Sequence, residues 1–328
     1  MTKTEQDCLN GQENGSDRAE KAEPKKPVQQ RERFNVQALT EDESFFGHKA
    51  CAGCGGSLAL RIALKALGER SISVVPAGCM SAVGFNFPQL CFAGNAIIST
   101  FAGTASMLTG VEAGLRAQGI SDFQAVGFAG DGGTADIGLQ ALSGAIDRND
   151  NILYICYDNE AYMNTGIQKS GLTPFGAKTT TTPAGKRIHG NLRQKKIMFE
   201  IVAAHGIPYA ATASIGDLPD FVQKVRRASQ IVGTKYIHIM APCPTGWGIP
   251  TEDCIDIARA ALRCGLWHLA EYEDGQFYLN WAPEQLEDVG PYLKRQGRFR
   301  HLTEAEYDRI QTARDEKWKQ MRASYLLR

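Results

Sequence analysis

Short apolar runs alternate with amphipathic stretches along most of the chain. The apolar runs have the length and composition of strands buried on both faces, and they span Ile72–Ala77, Ala96–Phe101, Ala125–Ala129, Ile152–Tyr157, Tyr209–Ala213 and Tyr236–Ala241. The stretches between and after them predict helices at Ser57–Leu67, Ala105–Ala117, Asp136–Asp147, Lys195–His205, Leu218–Ile231 and Glu252–Cys264. This alternation predicts an α/β fold with a mainly parallel sheet flanked by helices. In such folds, active groups gather at the carboxyl ends of the strands.

The two ends of the chain depart from this pattern. Residues 1–33 carry seven acidic and seven basic side chains and few large aliphatic ones, so they bury too little apolar surface to offset their ordering entropy. We therefore expect a disordered extension over residues 1–33 and an α/β domain over residues 34–265. Helical spacing resumes over Thr303–Leu326, and residues 266–328 are predicted to form a C-terminal arm.

Charge and hydropathy narrow the classes of partner. The 328 residues include 36 Lys and Arg against 36 Asp and Glu, and there is no basic arm, so nucleic acid is not an expected partner. No uninterrupted apolar stretch reaches the roughly 18–20 residues of a membrane-spanning helix. The beginning of the chain is charged where a signal peptide would be apolar. We expect a cytoplasmic protein without a membrane partner.

Oxygen-bearing residues follow two of the predicted strands. One strand ends in the turn Gly130-Asp131-Gly132-Gly133, and the next ends in the run from Asp158 through Asn159 to Ala161. Glycines allow a phosphate to approach the backbone closely, and a helix that follows offers free N–H groups to it. A carboxylate, an amide and a backbone carbonyl are ligands that suit Mg²⁺. Taken alone, however, a Gly-Asp-Gly turn is also ordinary turn chemistry.

A second polar segment, Asn164-Thr165-Gly166, lies shortly after the same strand. It either places an amide and a hydroxyl near the reacting centre or forms an ordinary polar loop. Of the two side chains, we favour Asn164, both as the catalytic candidate and as a further residue that contacts the cofactor.

The cysteines fall into two groups. Cys51 and Cys54 form a Cys-x-x-Cys pair in a glycine-rich loop, while Cys79 and Cys243 follow the first and last predicted strands. Gathered at one edge of the sheet, these four thiolates would suit a 4Fe–4S cluster or a structural zinc ion, and spacing does not choose between them. A thioredoxin-type redox pair would leave Cys79 and Cys243 unexplained. The other five are expected to behave as small buried hydrophobes: Cys8, Cys91, Cys156, Cys254 and Cys264.

The acidic turn resembles the thiamine-diphosphate-binding motif of thiamine-dependent enzymes. The motif is carried by Gly130-Asp131-Gly132, then 26 intervening residues, then Asn159. The resemblance implies a thiamine-diphosphate-binding fold in which Asp131, the Asn159 side chain and the Ala161 carbonyl bind Mg²⁺. It also implies that the turn Gly130–Gly133 holds the diphosphate.

Six motifs together resemble the β subunits of the 2-oxoacid:ferredoxin oxidoreductase superfamily, of the pyruvate:ferredoxin oxidoreductase (pyruvate synthase) type. They are Gly47–Gly55, Ala77–Cys79, Gly130–Gly132, Asn164–Gln168, Thr179–Pro183 and Ala241–Trp247. The resemblance implies reversible, coenzyme A-dependent oxidative decarboxylation of pyruvate to acetyl-CoA and CO₂, with single electrons passing through a 4Fe–4S cluster to ferredoxin or flavodoxin.

The same resemblance implies a multisubunit complex outside which this chain is inactive. An α subunit would complete the thiamine site, and a γ subunit and a ferredoxin-like δ subunit would accompany it. Three alternatives stay open: another 2-oxoacid substrate (branched-chain, oxalate or aryl pyruvate), a non-redox thiamine lyase, and a non-enzymatic subunit stabilised by zinc. The roles of His48 and of the run Thr179–Thr182 are left unassigned.

Overall fold

The computed structural model describes residues 33–185, 187 and 189–328. The extension expected over residues 1–33 lies, except for its last residue, outside this range. Eleven strands are present in the described residues: β1 Ser71–Pro76, β2 Phe85–Asn86, β3 Gln89–Leu90, β4 Ala96–Ser99, β5 Gln124–Gly130, β6 Ile152–Asp158, β7 Tyr209–Ser214, β8 Lys235–Met240, β9 Ala270–Glu273, β10 Gln276–Leu279 and β11 Leu326–Leu327.

Nine of these strands form one sheet in the order β11-β10-β9-β7-β8-β6-β5-β1-β4. The six strands from β7 to β4 run parallel, whereas β9 is antiparallel to β7 and β10 is antiparallel to β9. All six predicted strands are therefore present in the parallel part. The mainly parallel α/β fold is confirmed.

The helices pack on both faces of this sheet. They are α1 Gly55–Leu67, α2 Cys79–Gly84, α3 Thr104–Ala117, α4 Asp131–Ala135, α5 Leu139–Asp147, α6 Met198–Ala203, α7 Leu218–Gln230, α8 Pro244–Trp247, α9 Cys254–Arg263, α10 Val289–Lys294 and α11 Glu304–Ser324. One face carries α1 and α7, and the other carries α3, α5, α6 and α11. Successive residues of the central strands point alternately to the two faces of the sheet, and both faces are apolar.

Two predicted helices differ from the observed ones. The stretch predicted as one helix over Asp136–Asp147 begins as a helix only at Leu139, and the separate short helix α4 starts at Asp131 itself. The helix predicted over Lys195–His205 is shorter, since α6 covers Met198–Ala203. In both places, polar side chains contact distant parts of the chain. Asp136 accepts hydrogen bonds from Tyr162 and Gly171, and Lys195 forms an ion pair with Asp158. These tertiary contacts override the local pattern.

The C-terminal segment returns to the sheet. After residue 265 the chain forms β9 and β10, which extend the sheet beyond β7, and β11 pairs with β10. Between them lies α11, which begins with a capping box in which Thr303 and Glu306 bind each other's backbone N–H. Trp318 and Met321 of this helix are buried with the core residues of α5 and α6. The predicted boundary at residue 265 falls between α9 and a strand of the same sheet.

Candidate active site

The carboxyl ends of β5 and β6 lie side by side and carry the oxygen-bearing residues. Gly130 is paired with Tyr157 at the last position of this ladder. Directly after Gly130 the chain enters α4 at Asp131, which is 1% exposed. Burial raises the pKa of the Asp131 carboxyl well above its usual range, and the neighbouring Asp158 carboxylate raises it further. A cation bound here would reverse both effects.

Two further oxygen-bearing groups meet beside this carboxylate. The Asn159 amide atom that faces it lies 2.9 Å from Asp131 Oδ1 and 3.0 Å from the Ala161 carbonyl oxygen. An amide nitrogen in this position donates to both oxygens, whereas an amide oxygen there brings three acceptors together, as around a cation. Magnesium–oxygen distances of about 2.0–2.1 Å place neighbouring ligands of an octahedron roughly 2.9 Å apart. The two observed spacings match this value.

A left-handed turn at Glu160 holds these groups in position. Glu160 has a φ of 68°, which is uncommon for residues other than glycine. The Asp158 carboxylate supports the turn, because its Oδ1 accepts the Glu160 backbone N–H at 2.9 Å. The other oxygen of Asp158 lies 2.8 Å from His238 Nε2 and 2.6 Å from Lys195 Nζ. Burial by itself raises the pKa of the Asp158 carboxyl, but Lys195 and His238 hold it below its usual value.

The Glu160 carboxylate pairs with two cations. Lys195 Nζ lies 2.8 Å from its Oε1, and Arg298 donates to its Oε2 at 2.5 Å. The Arg298 guanidinium also stacks 3.8 Å from the ring centroid of Trp247, whose indole N–H donates to the Asn159 carbonyl oxygen at 2.8 Å. A side chain from the C-terminal segment therefore braces the turn that presents Asn159.

A cleft connects this turn to the cysteines. It is narrow, enclosing about 30 Å³, and it opens to solvent. All seven residues predicted to bind the cofactor line it, namely Gly130, Asp131, Gly132, Gly133, Asn159, Ala161 and Asn164. Cys79 lines the same cleft, and the Tyr157 side chain lies between the two groups. The oxygen-bearing turn and one predicted cluster ligand therefore share a single cavity.

An aromatic wall closes the cleft over the glycine-rich turn. A Cβ at Gly132 would lie 2.3 Å from the Tyr162 ring, so only glycine fits beneath it. The Tyr162 ring stacks on Phe101 at 5.8 Å between centroids, and its hydroxyl donates to Asp136 at 3.0 Å. Asn164 is exposed at the cleft's rim. The buried end of the cleft is therefore polar and its walls are apolar.

The four cysteines lie on three loops at this edge of the sheet. Cys54 is the N-cap of α1, Cys79 is the first residue of α2, and Cys243 is the N-cap of α8. Cys51 precedes Cys54 in a tight turn, in which the Cys54 N–H donates to the Cys51 carbonyl at 3.1 Å. Helix N-termini favour thiolates, because the free N–H groups there stabilise negative charge.

Two glycines let the Cys-x-x-Cys loop pack against the loop after β8. Gly53 has a φ of +70°, and a Cβ there would lie 2.2 Å from the Thr251 carbonyl oxygen. At Gly55 a Cβ would lie 2.8 Å from the Pro242 carbonyl oxygen, which accepts the Gly55 N–H at 3.2 Å. Both close contacts are with backbone atoms, so a larger residue requires the loops to separate.

The thiols influence one another electrostatically. Burial, followed by the nearby Cys54, Cys243 and Cys51, raises the pKa of the Cys79 thiol to about 12. Burial also raises the pKa of the Cys243 thiol, with smaller contributions from Cys54 and Cys51, although the N–H of Gly246 opposes the shift. The structure thus brings all four predicted ligands into one neighbourhood.

In the described residues, no three His, Cys, Asp or Glu side chains converge closely enough to hold a single metal ion. Cys254 is buried at the start of α9 and directs its thiol to the Pro242 carbonyl oxygen at 3.5 Å. Cys91, Cys156 and Cys264 are buried, as expected for small hydrophobes. Cys8 lies outside the described residues.

The unassigned residues make local contacts. His48 stacks on Phe45 at 4.8 Å and accepts the Ala50 N–H at 3.3 Å, which caps its own loop. Within the threonine run, the hydroxyls of Thr179 and Thr182 lie 2.7 Å apart.

Sequence reasoning missed the supporting charges. Asp158, Glu160, Lys195, His238 and Arg298 were given no role, and only one signal for them was available in the sequence. Two acidic residues flank Asn159 directly after an apolar strand, and carboxylates buried there require cationic partners. The identity of those partners depends on the tertiary fold.

The thiamine pyrophosphate enzyme family, C-terminal TPP binding domain, matches residues 76–239. The pyruvate synthase subunit PorB of Methanothermobacter thermautotrophicus is 51% identical over 265 residues, covering 81% of this chain and 92% of that protein. The ketoisovalerate oxidoreductase subunit VorB of Pyrococcus horikoshii is 46% identical over 289 residues, covering 86% of this chain and 93% of that protein.

One solved structure shows the same fold. The 2-oxoglutarate:ferredoxin oxidoreductase from Magnetococcus marinus superposes with a TM-score of 0.51 and 19% identity, covering 69% of this chain and 80% of that chain. No helix in the described part of the chain has the length and apolar character needed to cross a membrane. With the cleft geometry, these similarities show that the chain belongs to the family of PorB and VorB subunits of 2-oxoacid:ferredoxin oxidoreductases.

Proposed function

We propose that this chain is the thiamine- and cluster-binding β subunit of a pyruvate:ferredoxin oxidoreductase. The observation that carries the proposal is the single cleft lined by Asp131, Asn159, Ala161 and Cys79. A redox decarboxylase requires its thiamine and its first electron acceptor close together, and this cleft satisfies that requirement in one chain.

The groups at the buried end of the cleft fit magnesium and a diphosphate. The atom spacings of 2.9 and 3.0 Å around the Asn159 amide suit neighbouring ligands of one Mg²⁺ ion. Glycines at 130, 132 and 133 leave the adjoining backbone open to phosphate oxygens. We therefore assign the Mg²⁺ ligands to Asp131, Asn159 and the Ala161 carbonyl, and diphosphate binding to Gly130–Gly133.

The cysteines fit a 4Fe–4S cluster. In a zinc site, four sulfurs lie about 2.3 Å from one ion. In a 4Fe–4S cluster, each cysteine binds a different iron, so its four sulfurs enclose a volume. In the described residues, no three His, Cys, Asp or Glu side chains converge on a single ion, which favours the second arrangement for Cys51, Cys54, Cys79 and Cys243. We assign these four residues to the cluster.

Bound thiamine diphosphate would supply the nucleophilic carbon that attacks a 2-oxoacid. The residues of this chain would bind and orient it: the oxygen-bearing turn through the metal, and the Phe101 and Tyr162 rings by excluding water from the cleft. Asn164, exposed at the rim, is in position to contact a substrate that enters there. The cluster ligand Cys79 lies on the opposite wall, so electrons have a short path out.

The proposed reaction is reversible. Pyruvate and coenzyme A yield acetyl-CoA, CO₂, one proton and two electrons, and the electrons leave singly through the cluster to ferredoxin or flavodoxin. The similarity to a pyruvate synthase subunit supports pyruvate. The similarity to a ketoisovalerate oxidoreductase subunit supports a branched-chain 2-oxoacid as the second candidate.

Partner subunits belong to the proposal. Both relatives are named as subunits, and we propose an α subunit that completes the thiamine site, a γ subunit and a ferredoxin-like δ subunit. The exposed Asn164 and the solvent-open side of the cleft agree with a site completed by another chain. The chain should be inactive when purified alone.

A substrate comparison on the intact complex tests the proposal. Anaerobically purified complex is assayed for coenzyme A-dependent reduction of a viologen dye with pyruvate, 3-methyl-2-oxobutanoate, oxalate and phenylpyruvate. The highest kcat/KM with pyruvate supports the proposal, and the highest with 3-methyl-2-oxobutanoate supports the second candidate. Decarboxylation without dye reduction would identify a non-redox lyase and overturn the redox proposal.

A further inference from the structure

A second cavity lies under the C-terminal helix α11, beside the carboxyl ends of β6 and β8, where Glu160 and Met240 line it. This C-terminal groove is bounded by the α11 face that carries Arg309 and Ala313, by α6, and by the loop before β9. It encloses about 700 Å³, within the roughly 300–1,000 Å³ range of ligand pockets. Its lining residues do not include any that line the thiamine cleft. It is therefore a separate site.

The floor of the groove contains a buried polar atom without a partner. His268 is 8% exposed, and its Nε2 has no hydrogen-bond partner among the described residues. Burial and the nearby Lys317, Lys224 and His238 hold the pKa of this imidazole well below its usual value, so the ring is neutral. A buried, unpaired nitrogen costs free energy unless a ligand or water satisfies it. A ligand with a hydroxyl or carbonyl group would do so.

The groove carries an excess of positive charge. Six lysine or arginine side chains line it, against three glutamates. Lys195 and Arg298 are paired with Glu160, and Lys317 lies 3.7 Å from Glu200. Arg309 is different: it stacks 4.4 Å from the Phe175 ring centroid and has no carboxylate partner among the described residues. An anionic group at Arg309 would neutralise this charge.

Between these two polar points the lining is largely apolar and aromatic. Phe199 contacts the His268 ring edge-on at 6.3 Å between centroids, and Trp267 and Tyr325 also line the cavity. Flat aromatic surfaces favour a planar apolar body. The groove thus offers an anion contact, an aromatic slot and a neutral hydrogen-bonding group.

We propose that the C-terminal groove binds a small aromatic carboxylate, with the carboxylate at Arg309 and the ring against the aromatic floor near His268. The groove shares no lining residue with the thiamine cleft, although four residues that support the Asn159 turn also line the groove. The proposed ligand contacts Arg309 and the aromatic floor instead of those four. Charge complementarity at Arg309 selects this ligand class over cations, and the aromatic floor selects it over small anions that lack a ring.

The test uses the full-length chain, purified with its partner subunits. Binding of 2-naphthoate is measured by titration calorimetry, and 2-naphthylmethylamine and acetate serve as matched ligands. Naphthoate should bind, while the amine, which has the same ring with the opposite charge, and acetate, which lacks the ring, should not. Absence of naphthoate binding, or equal affinity for the amine, would overturn the proposal.

Variants then locate the binding site. Arg309→Gln should weaken naphthoate binding about tenfold, as expected for the loss of one charge-assisted hydrogen bond. Ala313→Trp, an exposed position on the groove face of α11, should block binding by filling the mouth. The matched controls Lys319→Gln and Ala323→Trp lie on the same helix outside the groove lining and should bind normally. Unchanged affinity in Ala313→Trp would place the ligand elsewhere and refute the site.

Discussion

The oxygen-bearing turn and the cysteine loops lie at the same edge of the sheet but are built differently. The oxygen-bearing residues follow the adjacent strands β5 and β6. Buried polar side chains support them: Asp158 is fully buried, and its partner His238 is 4% exposed. The cysteines come from three separate loops, and Cys51 is exposed. The turn is held by the protein itself, whereas the cysteine loops are held mainly by backbone packing around two glycines.

The two regions therefore differ in how far their geometry depends on a bound group. The turn keeps its ligand geometry through contacts among the protein's own buried side chains. The cysteine thiols, raised in pKa by burial and by one another, become favourable thiolates only with a metal centre among them. Damage to one region should therefore leave the other largely intact.

The largest expected effect is loss of the cofactor from the oxygen-bearing turn. Asp131→Ala removes the only carboxylate among the three proposed Mg²⁺ ligands, so thiamine diphosphate should be lost and activity should fall at least about 100-fold. The 400 nm absorption of the cluster should persist. Cofactor content and visible spectra measure both, with Asp122→Ala, an exposed aspartate, as the control. Loss of both signals would show that the two regions are not independent.

The reverse experiment removes a proposed cluster ligand. Cys54→Ala should lower the iron content by the four irons assigned to this chain and abolish dye reduction, while thiamine diphosphate is retained because Cys54 does not line the thiamine cleft. Iron, sulfide and cofactor analysis of one sample provides the measurement. Cys264→Ala, at a buried cysteine outside the loops, should keep its iron. Full iron occupancy in Cys54→Ala would remove this residue from the ligand set.

A smaller effect is expected from a change in loop packing alone. Gly53→Ala combines a positive φ with a contact of 2.2 Å to the Thr251 carbonyl, whereas Gly47→Ala has a similar φ of +68° with no neighbour within 4 Å. Gly53→Ala should lower iron occupancy by roughly half or more. Gly47→Ala should keep its iron and lower the free energy of unfolding by only about 1 kcal/mol, through backbone strain. Equal iron content in the two variants would show that close loop packing does not hold the cysteines.

The smallest effect concerns the brace from the C-terminal segment. Arg298→Met breaks a buried ion pair with Glu160 and should lower the free energy of unfolding by about 3 kcal/mol, somewhat less if Lys195 compensates. Thiamine diphosphate should also bind more weakly, because the turn loses support. Arg295→Met, which removes partly exposed pairs with Asp253 and Asp256, should cost under about 1 kcal/mol. Thermal unfolding and cofactor titration compare the two; equal losses would contradict a bracing role.

Much of the fold could be predicted from the sequence, because continuous apolar runs indicate strands. The six parallel strands follow from continuous hydrophobic stretches, and the placement of Asp131 and Cys79 follows from where those strands end. Strands β9, β10 and β11 escaped prediction. They are short, only two to four residues each, and carry charges such as Glu271 and Glu273, so their apolar pattern is weak.

The support of the candidate site was not accessible in the same way. Arg298 and Glu160 are 138 positions apart, and no local pattern links them. The positive φ at Glu160 also has no signature, since glutamate rarely adopts it. Local motifs identify the groups that face a cofactor, whereas the residues that hold those groups depend on long-range packing.

The most direct test of the account is one analysis of the chain purified anaerobically with its partner subunits. Iron, acid-labile sulfide, zinc and thiamine diphosphate are measured on the same sample. The account predicts thiamine diphosphate together with iron and sulfide, four of each per cluster held by this chain, in addition to any in the partner subunits. Zinc in place of iron, or thiamine diphosphate without iron, would contradict the claim that one cleft serves both centres.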